Sequence, residues 1–289
     1  MNMKTILLTG AQGYLARHLI PVLLEQQYTV IGLCRRQTDS PVATNLILYD
    51  TQTQRLEDIF CRHTIDVIIH TATCYGRTNE TCLDVVKTNL LFPLELMTLA
   101  IKHHVPVFIN TDSILVKNIN PYALSKNQLV DWMHLFEGKI QLINIKLDHF
   151  YGPNDNPIKF VAWLNRELKN QTPYINLTEG SQIRNFVYIK DVVSAYLCVL
   201  THLSQLSTEK VNHFEIAGPE SVSIRQFALL LKKLLHNTTT SLNFGALPYR
   251  KHEVLHYEVD TSALKQLGWS PRYNLESGLS EMIEEEGTI

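Results

Sequence analysis

The segment from Thr5 to Gln26 constrains the fold of this chain more than any other. Thr5 to Thr9 is a short apolar run, and glycines follow at Gly10 and Gly13. Tyr14 to Gln26 then carries Leu15, Leu19, Ile20, Leu23 and Leu24 at helical spacing. A buried strand that turns through two glycines into an amphipathic helix is the opening of a β-α-β unit, and such units build parallel sheets.

The same alternation recurs. Thr29 to Leu33 and Leu46 to Tyr49 read as strands, Leu56 to Cys61 as a helix, and Asp66 to His70 as a fully apolar strand of the buried parallel kind. Thr81 to His103 reads as one long helix kinked at Pro93. Val107 to Asn110, Tyr122 to Phe136 and Ile140 to Leu147 read as strand, helix and strand. The expected fold class is therefore α/β, a doubly wound parallel sheet of the Rossmann type with right-handed crossovers. After Gly152 the pattern loosens, with helices at Ile224 to Leu235 and near Leu275 to Glu285. The expected division is a nucleotide-binding domain over 1–152 and a smaller, mainly substrate-binding domain over 153–289, with some later elements returning to the first.

Composition narrows the function. A formal net charge of -2 provides no overall positive field for nucleic acid or anionic membrane, so neither is expected as a partner. Five cysteines, an odd number with no C-x-x-C pair, read as reduced thiols. Met1 to Lys4 leads straight into the first strand without a signal-peptide pattern, and no run of about 18 apolar residues suggests a membrane span. The expected location is the cytoplasm. None of the twelve histidines stands in a spacing such as H-E-x-x-H, so no metal site is read.

Gly10-Ala11-Gln12-Gly13-Tyr14-Leu15-Ala16 sits between strand and helix, as a dinucleotide fingerprint requires. Gly10 permits the tight turn. Gly13 lets a pyrophosphate approach the helix N-terminus, and Ala16 fills the third small position. An NAD site usually carries a carboxylate at the end of the second strand; here that strand ends Leu33-Cys34-Arg35-Arg36. Two guanidiniums and no carboxylate suit a 2'-phosphate, which favours NADP(H) and leaves NAD(H) possible.

Tyr122-Ala-Leu-Ser-Lys126 places a phenol and an ammonium one helical turn apart. The ammonium is expected to lower the phenol's pKa and make Tyr122 a general acid/base. The strand before it ends Thr111-Asp112-Ser113, whose hydroxyls can bond a reacting oxygen.

These features resemble the extended short-chain dehydrogenase/reductase family, whose members include NAD(P)-dependent epimerases, dehydratases and reductases of nucleotide sugars. The strand DVIIH with Thr71-Ala72-Thr73, the Y-x-x-x-K and Tyr151-Gly152-Pro153 carry the likeness. Gly180 to Asp191 and Leu267-Gly268-Trp269-Ser270-Pro271 extend it. The resemblance implies catalytic roles for Tyr122, Lys126 and Ser113, with Thr111 as the alternative to Ser113. It implies cofactor contacts from Gly10, Gln12, Gly13, Tyr14, Leu15, Arg35, Arg36, Asp50, Thr71, Ala72, Tyr122 and Lys126, and nucleotide-sugar contacts from Tyr75, His149, Arg184 and Arg250. It also implies a homodimer, paired through the helices at Thr81 to His103 and Tyr122 to Phe136.

Among such reactions, the expected one is NADPH-dependent reduction of a nucleotide-linked 4-keto-6-deoxy sugar, a step in making deoxysugars such as those of lipopolysaccharide O-antigen. The related dehydratases carry Thr-Asp-Glu where this chain has Thr111-Asp112-Ser113. The alternatives are an NAD-dependent 4-epimerase, a 4,6-dehydratase, or a non-catalytic NADP(H) sensor.

Overall fold

The computed structural model describes residues 4–35, 44–250 and 253–287. In chain order, the first half is β1 (Thr5–Thr9), α1 (Tyr14–Glu25), β2 (Thr29–Cys34), β3 (Leu46–Asp50), α2 (Leu56–Arg62), β4 (Val67–His70), α3 (Cys82–Val86), α4 (Phe92–Lys102), β5 (Val107–Ser113), α5 (Pro121–Met133) and β6 (Gln141–Leu147). There follow β7 (Phe150–Tyr151), α6 (Phe160–Lys169), β8 (Tyr174–Leu177), β9 (Ile183–Arg184), β10 (Val187–Tyr188), α7 (Ile189–Thr201), β11 (Asn212–Ile216), β12 (Val222–Ser223), α8 (Ile224–Leu234), β13 (Ser241–Phe244), α9 (Ser262–Gln266) and α10 (Leu275–Gly287).

The central sheet has seven strands in the order β11-β6-β5-β4-β1-β2-β3. The pairs β1–β2, β1–β4, β2–β3 and β4–β5 are all parallel. The chain builds outward from β1 through β3 and then returns to lay β4 on the other side of β1. That reversal leaves a crevice at the carboxyl ends of β1 and β4, where open α/β sheets bind ligands. Leu7, Ile31, Ile68 and Phe108 of the sheet pack with Ile59 and Phe60 of α2, Leu96, Met97 and Ala100 of α4, and Leu129 and Met133 of α5. Each of the larger side chains contributes roughly 1.5–3 kcal/mol by leaving water, so the sheet that carries the site is rigidly backed.

The long helix expected over Thr81 to His103 is interrupted. Thr81 and Asp84 form a capping box at its start. Lys87–Leu91 then widens into a π-helical turn before α4, which carries Pro93 in its first turn. Proline has no N–H to give the carbonyl one turn back, so the ladder must change register there. The wider turn carries Asn89, fully buried, into the protein.

Two compact units are present: Met1–Lys146 with Thr201–Phe214, and Leu147–Leu200 with Glu215–Ile289. The second contains three small strand pairs (β7–β10, β9–β12 and β8–β13) and an aromatic cluster of Tyr151, Phe186, Tyr188 and Phe227. Asp191, at the start of α7, accepts the backbone N–H groups of Arg272 and Tyr273 at 2.8 and 3.0 Å. Trp269 gives its indole N–H to Ser194 at 2.9 Å. The motifs at Asp191 and Leu267 to Pro271 are thus one structural tie, closing the C-terminal segment onto α7.

Candidate active site

The glycine turn is held against the end of β4. Thr9 Oγ1 accepts the backbone N–H groups of Thr71 and Ala72, each at 3.1 Å, and lies 2.9 Å from His70 Nδ1. The Thr71 hydroxyl donates to the Thr9 carbonyl at 2.7 Å. Gly10 has φ +66, and a Cβ there would lie 2.8 Å from Ala72 Cα. Gly13 caps α1 without a side-chain hydrogen bond, and its N–H donates to the Gly10 carbonyl at 2.7 Å. A Cβ at Gly13 would meet that carbonyl oxygen at 2.9 Å. The first-turn amides are therefore presented to an anion rather than to a capping side chain, a cradle that suits a dinucleotide pyrophosphate.

Around that turn, Ala16 is fully buried and Leu15 nearly so, while Gln12 and Tyr14 are half-buried beside them. Arg35, just past the end of β2, is exposed; Arg36 lies outside the described residues. Asp50 ends β3 and accepts the Gln52 N–H at 2.8 Å. We expect Gly10→Ala to weaken dinucleotide binding about tenfold and to lower stability by about 1–3 kcal/mol, since the methyl group meets backbone in a conformation L residues resist. Cofactor titration and urea unfolding of the variant measure both; unchanged values in the two would remove the turn from the site.

The second group of residues comes from β5 and α5. Alternation along β5 turns Thr111 and Ser113 to one face and buries Asp112 on the other. Helix α5 starts where it does because the Asn120 side chain accepts the Ala123 N–H at 2.8 Å and Pro121 fills the first helical position. This places Tyr122 and Lys126, both buried, on one helical face. Ser113 is hydrogen-bonded with the Tyr122 side chain. The Tyr75 ring lies 5.0 Å from that of Tyr122, and the Arg77 guanidinium lies over Tyr75 at 5.1 Å.

The electrostatics run opposite to the expectation for the phenol. Burial raises the Tyr122 pKa well above its ordinary value, and Tyr75 and Asp112 raise it further; the Ser113 hydrogen bond and Arg77 oppose them without prevailing. Taking a phenolate out of water costs more than those donors return, so at neutral pH Tyr122 is a neutral phenol with a proton to give. Burial also depresses Lys126, to about 8, against the pull of Asp112. His70 is held well below its usual value by burial and then by the Lys126 charge, so it stays a neutral imidazole.

Several supporting residues were not read from the sequence. Asn89 accepts the Cys74 N–H and donates to the Cys74 carbonyl, both at 2.8 Å, and donates to Ser125 Oγ at 3.0 Å. It thereby pins the loop carrying Tyr75 to the helix carrying Tyr122. A lone asparagine in the apolar stretch Thr88 to Leu94 was the available signal. Asn110 donates to Asn144 at 2.8 Å, and Asn144 donates to Asp112 at 3.0 Å. That buried chain orients Asp112, whose negative charge favours Lys126 as an ammonium and Tyr122 as a phenol.

In the second unit, Arg184 is 6% exposed, pairs with Glu253 at 2.8 Å, and lies over the Tyr257 ring at 5.0 Å. His149 is 2.6 Å from the Asp148 carboxylate and packs edge-on against Phe186. Arg250 is exposed, and its carbonyl accepts the Glu253 N–H at 3.0 Å. Arg184 is thus already engaged by a carboxylate.

A glycine cradle at the switch point and a Ser-Tyr-Lys group on β5 and α5 define an NAD(P)-dependent oxidoreductase of the short-chain type. Residues 6–217 match the NAD dependent epimerase/dehydratase family, and the chain belongs to it. The chain is 31% identical to the CDP-abequose synthase of Salmonella muenchen, over 97% of each chain. To the CDP-abequose synthase of Salmonella typhimurium it is 27% identical, over 96% of this chain and 97% of the other. In fold it is similar to the UDP-glucose 4-epimerase of Thermotoga maritima solved with UDP-glucose (TM-score 0.84, 24% identity, 98% of this chain and 99% of the other). It is also similar to a UDP-glucuronic acid 4-epimerase of Bacillus cereus solved with NAD (TM-score 0.83, 21% identity, 98% and 99%). No described helix is long and apolar enough to cross a membrane.

Proposed function

We propose that the protein reduces the 4-keto group of a nucleotide-linked 4-keto-6-deoxy sugar, with NADPH as hydride donor. The observation that carries this reading is the placement of Tyr122, buried with Lys126 on one face of α5 and hydrogen-bonded with Ser113. A reductase needs a proton donor at the reacting oxygen, and Tyr122 is a neutral phenol hydrogen-bonded with Ser113. Bound NADPH supplies the hydride. Tyr122 gives its proton to the oxygen on C4 as negative charge grows there. Ser113 donates a hydrogen bond to the same oxygen, where a preorganised donor acts most strongly. Lys126 holds the nicotinamide ribose, and its charge, buried beside the phenol, favours proton release when the substrate oxygen becomes basic. Thr111 stays the alternative to Ser113 for that hydrogen bond.

Ser113 in place of a strand-end glutamate leaves this face without the extra base a dehydratase uses, which supports reduction over elimination. Intact Ser113, Tyr122 and Lys126 argue against a sensor without chemistry. We assign the pyrophosphate to Gly10, Gln12, Gly13, Tyr14 and Leu15, and the rest of the dinucleotide to Asp50, Thr71 and Ala72. The 2'-phosphate falls to Arg35 and Arg36. Tyr75, His149, Arg184 and Arg250 are the proposed contacts to the nucleotide sugar; Arg184 takes the diphosphate by exchanging Glu253 for it. Arg35→Ser then raises the KM for NADPH about ten- to a hundredfold and leaves that for NADH nearly unchanged. Equal effects on the two cofactors would dissociate Arg35 from the phosphate.

A second reading, an NAD-dependent 4-epimerase, draws support from the fold likeness to 4-epimerases. One experiment separates them. The purified protein is mixed with NADPH and a panel of nucleotide-linked 4-keto-6-deoxyhexoses, and the nicotinamide absorbance is followed. Stoichiometric NADPH consumption supports the reductase. Interconversion of nucleotide hexoses with retained NAD and no net consumption replaces it with the epimerase.

We further propose a cytoplasmic homodimer. Leu96 is core and Leu90 and Leu94 pack partly against it, but Leu83 and Leu91 near α3, and Leu124, Trp132 and Leu135 on and after α5, are exposed. A light-scattering mass near 66 kDa, twice the 33.1 kDa chain, is the expected result. Trp132→Glu then shifts it toward the monomer; a wild-type chain that is monomeric at micromolar concentration ends this assignment.

A further inference from the structure

Helices α2 and α4 pack side by side in the first unit. Glu57 and Cys61 stand four residues apart on α2 and so share one of its faces. His103 caps the C-terminus of α4, and its ring lies against Phe60 of α2, centroids 5.5 Å apart. His103 Nε2 is 3.1 Å from Glu57 Oε1. One ligand atom from each of Glu57, Cys61 and His103 falls within 4.8 Å of the others, and among the described residues no other His, Cys, Asp or Glu trio comes as close.

We propose that Glu57, Cys61 and His103 form a divalent-metal site of the zinc type, tying α2 to α4. A thiolate, an imidazole and a carboxylate select Zn²⁺ or Co²⁺ over Mg²⁺ or Ca²⁺, which take oxygen donors. Tetrahedral zinc with bonds of about 2.0–2.3 Å sets its ligand atoms roughly 3.5 Å apart. The trio reaches that by rotamer adjustment, because its backbone is fixed by the core beneath: Ile59, Phe60, Leu99 and Ala100 all belong to the same buried cluster. Water completes the coordination on the solvent side.

The competing cation is Lys102, whose Nζ bonds Glu57 Oε1 at 2.7 Å. Its side chain is 63% exposed, so the pair is a solvent-screened surface one that a metal can displace. The Lys102 and His103 bonds both use Oε1, which leaves Oε2 for the metal. On binding, the Cys61 thiol gives its proton to solvent as the S–metal bond forms.

The test uses the reduced, full-length protein and Co²⁺ alone, followed by Zn²⁺ competition. One equivalent of Co²⁺ is expected to produce visible d–d bands of tetrahedral intensity and a near-ultraviolet thiolate-to-cobalt band, both abolished by one equivalent of Zn²⁺. Cys61→Ser loses the thiolate band and weakens binding ten- to a hundredfold; His103→Gln weakens it similarly. Cys82→Ser, at the other exposed cysteine, and Lys102→Gln keep both bands. NADPH binding is unchanged in all four, which reports intact folding. A thiolate band that survives Cys61→Ser, one lost in Cys82→Ser, or the absence of a stoichiometric complex in the wild type would each overturn the assignment.

Discussion

Tyr122→Phe is expected to lose about 10²–10⁴ in kcat while binding NADPH as tightly as the wild type. The Tyr122 phenol is held in its acid form by its surroundings: burial, Tyr75 and Asp112 all oppose loss of its proton. Phenylalanine fills the same volume, so the helix and the cofactor cradle are undisturbed and only the proton and one hydrogen bond to Ser113 disappear. Single-turnover kinetics with the accepted 4-keto sugar, beside a fluorescence titration of NADPH, make the measurement. Turnover close to the wild type's would defeat the assignment of Tyr122 as proton donor. Because the Tyr122 pKa is raised, the wild type shows no basic limb from this phenol near neutral pH.

Lys126→Met is expected to cost about a hundredfold in kcat/KM and to change the pH profile. In the wild type, Lys126 titrates at about 8, so kcat/KM falls about tenfold per pH unit above that value as the ammonium is lost. The limb is absent in Lys126→Met and displaced upward in Lys126→Arg. A limb that stays near pH 8 in Lys126→Met would assign it to another group.

Stability follows with a definite sign. The folded-state pKa of Lys126 lies below its unfolded value of 10.5. Below pH 8 both states hold the proton, and burying the charge costs about 3 kcal/mol. Between about 8 and 10.5 the unfolded chain holds a proton that the folded one does not, so wild-type stability gains with rising pH. Lys126→Met is therefore the more stable protein at pH 7, and its advantage closes as pH rises through that window. Urea midpoints of the two cofactor-free proteins at pH 7 and 10 measure it.

The local geometry of the candidate site was legible because it is written at short range. Gly10 and Gly13 flank a turn whose geometry admits almost nothing else, and Tyr122 and Lys126 are one helical turn apart. Asn89, Asn144 and Asp112 were not legible, because their roles depend on contacts between segments 15 to 36 residues apart. The break in the helix over Thr81 to His103 was read as a kink at Pro93; its form, a widened turn that buries Asn89, depends on what α5 offers that side chain. The Glu57, Cys61 and His103 cluster has no signature in spacing at all, since 42 positions separate Cys61 from His103.

By itself, the order of apolar runs and glycine turns determined a doubly wound α/β sheet, a dinucleotide turn after β1, and a tyrosine–lysine pair on one helical face. These follow from local sterics and from periodicity, which a chain carries before it folds. Only the tertiary structure decided that Ser113 reaches the Tyr122 hydroxyl, and only burial decided the direction in which the pKa values of Tyr122 and Lys126 moved. A titration depends on how much water is excluded and which charges share the enclosure, and both are properties of packed surfaces distant in sequence.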